Sequence, residues 1–155
     1  LGDRFAALQA GLDQLAKVVR WDRVSPVYET PPMYVLDQPA FYNAVAAGVT
    51  DLGPLALLAE LKRIERHLGR QTRTQNGPRE IDLDLLAYDG LVLRSGARLI
   101  VPHPRIAERR FVLQPWADLD PAFEIPDLGP VGLLLEQTND PAECVKEVAD
   151  AILSI

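Results

Sequence analysis

After a glycine–proline step at Gly77-Pro78, the chain alternates apolar and acidic residues, Ile81-Asp82-Leu83-Asp84-Leu85, in a run that extends to Tyr88. A period of two belongs to an extended strand with one face buried and the other open. Ile81, Leu83 and Leu85 define the buried face, so Asp82 and Asp84 share the other, roughly 6.6–6.8 Å apart along the backbone. Such a pair can be nothing more than a solvated strand surface. It can also converge on a hard cation, because magnesium takes one or two carboxylates and completes its shell with water and substrate phosphates. Arg79, just ahead, is a cation suited to phosphate oxygens bridged to a metal. On these residues alone both readings stay open.

The flanking segments set the frame. Phe5, Leu8, Leu12, Leu15 and Val19 recur at helical spacing, and Trp21 to Glu29 reads as extended. Phe41 to Thr50 reads as one strand, with Phe41 and Asn43 on the same face. Pro54 suits a first helical position, Leu57, Leu58, Leu61, Ile64 and Leu68 form its apolar stripe, and Gly69 is the expected stop. Arg70 to Gly77 lacks any apolar residue and reads as a solvated loop. Leu91–Leu93 and Leu99–Val101 form a short hairpin closed by Pro102 to Pro104. This order predicts an α+β fold, a ferredoxin-like βαββαβ core without its first strand, with an added C-terminal hairpin and helices.

Composition excludes several classes of function. At 155 residues, 48% hydrophobic and 25% charged, the chain is one ordinary globular domain. Its net charge of −6 argues against nucleic acid as a partner. Arginines between Arg63 and Arg110 still allow a local cationic site. The single cysteine, Cys144, cannot form an internal disulfide and fits a reducing cytoplasm. No apolar run approaches the ~20 residues of a membrane span. Small-molecule substrates, no membrane, and a monomer (a dimer being the alternative) are expected.

Further candidates have bland alternatives. Glu65 borders the apolar stripe and could be a surface glutamate. His103 sits between prolines and near Arg98, Arg105, Arg109 and Arg110, where it could contact polyphosphate or be structural. Thr30-Pro31-Pro32 and Phe41-Tyr42-Asn43 could frame a slot for a flat, hydrogen-bonding ring. Phe111 is a second aromatic wall or ordinary core.

Together these residues resemble the 6-hydroxymethyl-7,8-dihydropterin pyrophosphokinase family, from Leu1 to about Leu135. The most specific piece is Gly77-Pro78-Arg79-Glu80-Ile81-Asp82-Leu83-Asp84. Ser25 to Pro32, Gln38-Pro39 with Phe41 and Asn43, Glu65 with Gly69-Arg70, and Val101-Pro102-His103-Pro104 support it. The resemblance implies diphosphate transfer from ATP to the pterin hydroxymethyl group, a step of folate synthesis. It implies that Asp82 and Asp84 hold two Mg2+ ions, with Asp82 also near the reacting hydroxyl. Arg79 joins them as a catalytic residue. Glu65, Arg70, Arg73, Arg98, His103 and Arg109 fall at ATP contacts. Thr30, Pro31, Phe41, Asn43 and Phe111 fall at the pterin pocket, the two aromatic rings enclosing the pterin. Arg70 to Asn76 departs from the family pattern in a lid, with Thr72, Arg73, Gln75 and Asn76 where further arginines and a tryptophan are common.

The ends also depart. Family members begin with a strand before the Leu1-Gly2-Asp3-Arg4 motif, whereas this sequence opens on that motif. Ala151 to Ile155 resembles the absent strand, so residues 149–155 are expected to supply it in a permuted chain, a truncation being the rival. A phosphotransferase or nucleotidyltransferase with another acceptor, and a non-catalytic ferredoxin-like binding module, are the alternative functions.

Overall fold

The computed structural model describes residues 2–30, 41–75, 81–96, 99–141 and 145–155. Helix α1 (Gly2–Leu15) leads into β1 (Val19–Val24), which pairs antiparallel with β4 (Ala46–Thr50). Opposite Trp21 stands Gly48, where a Cβ would lie 2.5 Å from the Arg20 carbonyl oxygen and 3.0 Å from the Trp21 ring. Only glycine permits that approach.

The single strand expected over Phe41 to Thr50 is two. Strand β3 (Phe41–Asn43) pairs with β2 (Tyr28–Thr30), while β4 belongs to the other sheet. The break falls at Ala44-Val45, where the chain bends in step with Ser25-Pro26-Val27 on the facing strand. Ser25 bridges the bend: its N–H donates to the Val45 carbonyl (2.8 Å), and its hydroxyl oxygen accepts the Val45 N–H (2.9 Å). Strand β9 (Lys146–Glu147) adds to the free edge of β2.

Helix α2 spans Pro54–Gln75 and so runs through Gly69. The loop expected over Arg70 to Gly77 is therefore helical as far as Gln75. Arginine and glutamine are good helix formers, so the absence of apolar residues there does not by itself end a helix. Beyond it come the hairpin β5 (Leu93–Ser95) and β6 (Leu99–Val101), a 3-10 turn (Ile106–Glu108), and α3 (Arg110–Leu119). A second hairpin, β7 (Glu124–Ile125) and β8 (Gly129–Pro130), and α4 (Val131–Gln137) follow.

Residues 81–88 lie between two buried clusters. Ile81, Leu83 and Leu85 pack with Leu15, Val19, Leu57, Leu61, Ile64 and Leu68; Leu86 and Ala87 pack with Ile106, Leu113 and Trp116. The alternation is as expected, but among the described residues the segment joins no ladder. Period-two patterning reports a buried face, not a neighbouring strand. Between this segment and β4 there is instead a largely apolar cavity of about 540 Å³, bordered by Leu8, Leu12 and Leu153. The mixed helix and strand content makes the chain α+β.

Ile64 is fully buried at the centre of the first cluster. Ile64→Ala should cost about 2–5 kcal/mol of stability, through lost burial and the cavity left behind. Chemical denaturation measures it, and a loss below about 1 kcal/mol contradicts this packing.

Candidate active site

Asp82 and Asp84 are both exposed, as the alternation requires, and both line one wall of the cavity. Behind them stands Glu65, half-buried on α2, whose Oε2 accepts the backbone N–H of Leu83 at 2.9 Å. Its Oε1 pairs with Lys62 Nζ at 3.0 Å.

His103 is held by the same segment, its backbone N–H donating to the Leu86 carbonyl at 2.9 Å. That bond sets the imidazole in the field of Asp84, Arg109, Arg105 and Lys62. Burial pushes the His103 pKa below the usual histidine range; Asp84 opposes this and the three cations reinforce it. The ring is therefore neutral at pH 7. The Arg105 N–H faces Nδ1 at 3.5 Å, which leaves Nε2 to carry the proton and to donate to an anion.

Because the folded pKa is depressed, the unfolded chain binds more protons once the pH falls below ~6.5. This contribution to stability is intact above that pH and is lost on acidification towards and through the folded value. Between pH 7 and pH 5 the melting temperature should fall more steeply for the native protein than for His103→Gln. Parallel melting curves would contradict the burial of a neutral ring.

Arg109 immediately precedes α3, and its guanidinium lies 5.6 Å from the Phe111 ring centroid, a cation–π arrangement. Arg110 is engaged elsewhere: its backbone N–H donates to Asp140 Oδ2 at 3.0 Å and its Nε to the Asp140 carbonyl at 2.9 Å. Arg70 and Arg73 lie on the last turns of α2. Pro31, Arg79 and Arg98 lie outside the described residues.

On the other sheet, Thr30 is buried and Asn43 half-buried, and Asn43 Nδ2 donates to Thr30 Oγ1 at 2.9 Å. This bond fixes the amide and leaves its carbonyl oxygen and second N–H for another partner. Phe41, paired with Thr30 across the ladder, is 55% exposed. None of Thr30, Phe41, Asn43 and Phe111 lines the 540 Å³ cavity. Helix α3, which carries Phe111, touches both β2 and β3.

Two positioning contacts have no local signal in the sequence. Tyr28, opposite Asn43, donates its phenol proton to Asp118 on α3 across 90 positions, and burial together with Asp118 drives the phenol pKa upward. Glu65 and Leu83 are 18 positions apart. Helical spacing could have paired Gln114 with Asp118 and Lys62 with Glu65, but not these partners.

The donor set suits magnesium. Two exposed carboxylates match an ion that takes few protein ligands, and among the described residues no third His, Cys, Asp or Glu completes a dedicated metal cage.

The fold and site define an α+β protein with a carboxylate pair beside a histidine and arginine rim. A family model described as 7,8-dihydro-6-hydroxymethylpterin-pyrophosphokinase (HPPK) matches residues 1–121. The 2-amino-4-hydroxy-6-hydroxymethyldihydropteridine pyrophosphokinase of Pseudomonas aeruginosa is 44% identical over 122 residues, 77% of this chain and 75% of that protein. The protein of the same name from Aquifex aeolicus is 35% identical over 121 residues, 78% and 75% of the two chains. The folic acid synthesis protein fol1 of Pneumocystis carinii is 44% identical over 120 residues, 77% of this chain, which spans only 16% of that protein's length. The chain belongs to the 7,8-dihydro-6-hydroxymethylpterin-pyrophosphokinase family.

Proposed function

We propose that this protein transfers diphosphate from ATP to the hydroxymethyl group of 6-hydroxymethyl-7,8-dihydropterin, releasing AMP, in folate synthesis. The observation that carries the reading is the exposed Asp82–Asp84 pair set beside a neutral His103 and the cation Arg109. Family membership supplies the substrates.

The pterin hydroxyl oxygen bonds to the β-phosphorus of ATP and gives up its proton to water, the bond from that phosphorus to the α-side bridging oxygen breaks, and AMP leaves with that oxygen. Asp82 and Asp84 would hold two magnesium ions, which when bound neutralise charge on the phosphates. Asp82 is also assigned to the reacting hydroxyl. His103 Nε2 donates to a phosphate oxygen, while Arg79, Arg98 and Arg109 share the remaining charge. Arg70 and Arg73 complete the ATP side, where the family resemblance also places Glu65. Thr30, Pro31 and Asn43 read the hydrogen-bonding edge of the pterin, between Phe41 and Phe111. Most of the catalytic effect is then positioning and charge neutralisation.

The same reading takes the strands as a ferredoxin-like core in a single domain over residues 1–155, working as a monomer in the cytoplasm. Among the described residues no helix is long and apolar enough to cross a membrane. It also assigns residues 149–155 to the place of the family's first strand. Support comes from the burial of Ala151 and Leu153 and from Leu153 at the cavity edge, although among the described residues the segment joins no ladder.

The test is AMP release from ATP in the presence of magnesium. AMP should appear only when hydroxymethyldihydropterin is added, and should stop when magnesium is chelated. AMP or ADP formed without the pterin favours another acceptor. ATP binding without turnover favours a binding module.

A further inference from the structure

Leu83 stands between the two aspartates, and its backbone N–H points toward α2 rather than into a ladder. The group that satisfies it is a side chain: Glu65 Oε2, at 2.9 Å. A backbone N–H donating to a carboxylate is a charge-assisted bond, stronger than an amide–amide ladder bond. Further along, the Leu86 carbonyl accepts the His103 N–H, and the side chains of Asp82 and Asp84 are exposed. The peptide plane at Leu83 governs how both flanking carboxylates project, because successive side chains leave opposite faces of an extended chain.

Both oxygens of Glu65 are engaged, Oε2 by Leu83 and Oε1 by Lys62 at 3.0 Å. Lys62 offsets a third negative charge beside two carboxylates and also belongs to the cationic field around His103. The geometry points to Glu65 as a positioning residue, which holds the Leu83 peptide so that Asp82 and Asp84 face one cation-binding position. This rests on the function proposed above. It departs from that proposal in giving Glu65 its effect through the aspartates rather than through direct contact with ATP.

The test compares Glu65→Gln and Glu65→Ala with the native protein. A glutamine carbonyl oxygen can accept the same N–H, whereas alanine cannot. Amide hydrogen exchange at Leu83 should quicken at least about ten-fold in Glu65→Ala and stay within about three-fold of native in Glu65→Gln. The magnesium concentration giving half-maximal AMP formation should rise about ten-fold or more in Glu65→Ala, as is typical when a group supporting metal ligands is removed. Glutamine should largely restore it. KM for ATP at saturating magnesium should change little in either variant.

Unaltered Leu83 exchange in Glu65→Ala would overturn the inference, whatever the activity. So would an equal rise in KM for ATP in both variants with unchanged magnesium dependence. If the native protein forms no AMP from ATP and the pterin, the proposed function fails instead, while the exchange experiment still decides whether Glu65 holds the Leu83 peptide. If Glu65→Ala does not fold, a glutamine variant with native exchange and magnesium dependence still supports the inference. A glutamine variant that loses both overturns it.

Discussion

Replacing Asp84 with alanine should lower turnover by at least about a thousand-fold and leave a folded protein, the size of effect expected when a group that stabilises transition-state charge is lost. Asp84 is exposed, and among the described residues its side chain makes no salt bridge or hydrogen bond to the core. Its removal should therefore change stability by no more than about 0.5 kcal/mol. Asp84→Asn should be nearly as inactive, because the amide keeps the shape but not the charge that would hold magnesium. Removing the carboxylate also removes the influence that opposes the lowering of the His103 pKa, so His103 should titrate at still lower pH. Steady-state kinetics and a thermal melt on the same preparation measure both effects. Near-native turnover in a folded variant contradicts the assignment, and so does an inactive variant whose melt shows it unfolded.

The second large effect is expected at Asn43. Its amide is oriented by the Thr30 hydroxyl at 2.9 Å, so it presents one donor and one acceptor in fixed directions. A site built to hydrogen-bond a ligand loses much when one partner is removed, because the ligand's own polar groups are then buried unpaired. Asn43→Ala should weaken pterin binding about 100-fold, with ATP affinity within about three-fold of native. Thr30→Val should have the same direction and a smaller size, since the amide remains but is no longer held. Isothermal titration with the pterin and with an ATP analogue separates the two ligands. Equal weakening of both would move Asn43 out of the pterin pocket.

The carboxylate pair was the most legible part of the site, because alternation alone puts Asp82 and Asp84 on one open face and Ile81, Leu83 and Leu85 in the core. The ladder expected around them was not legible, since a buried face requires burial and not a hydrogen-bonded neighbour. Gly69 misled in the other direction: a helix tolerates a glycine at a cost of about 1 kcal/mol, and α2 continues through it to Gln75. Where Phe41 to Thr50 divides into β3 and β4, the Ser25 hydroxyl accepts the Val45 N–H in place of a ladder carbonyl. Glu65 was visible as a residue near the stripe, but its partner was not. Contacts such as Glu65 to Leu83 or Tyr28 to Asp118 join elements far apart in the chain, and only the packing of the helices brings them together.

The fate of the β- and γ-phosphorus of ATP tests the central claim most directly. A phosphorus-31 spectrum of the protein with ATP, magnesium and hydroxymethyldihydropterin should show both atoms arriving together on the pterin as a coupled pair, matched one to one by AMP. ADP with a pterin monophosphate, or free diphosphate with the nucleotide joined to the acceptor, would contradict it.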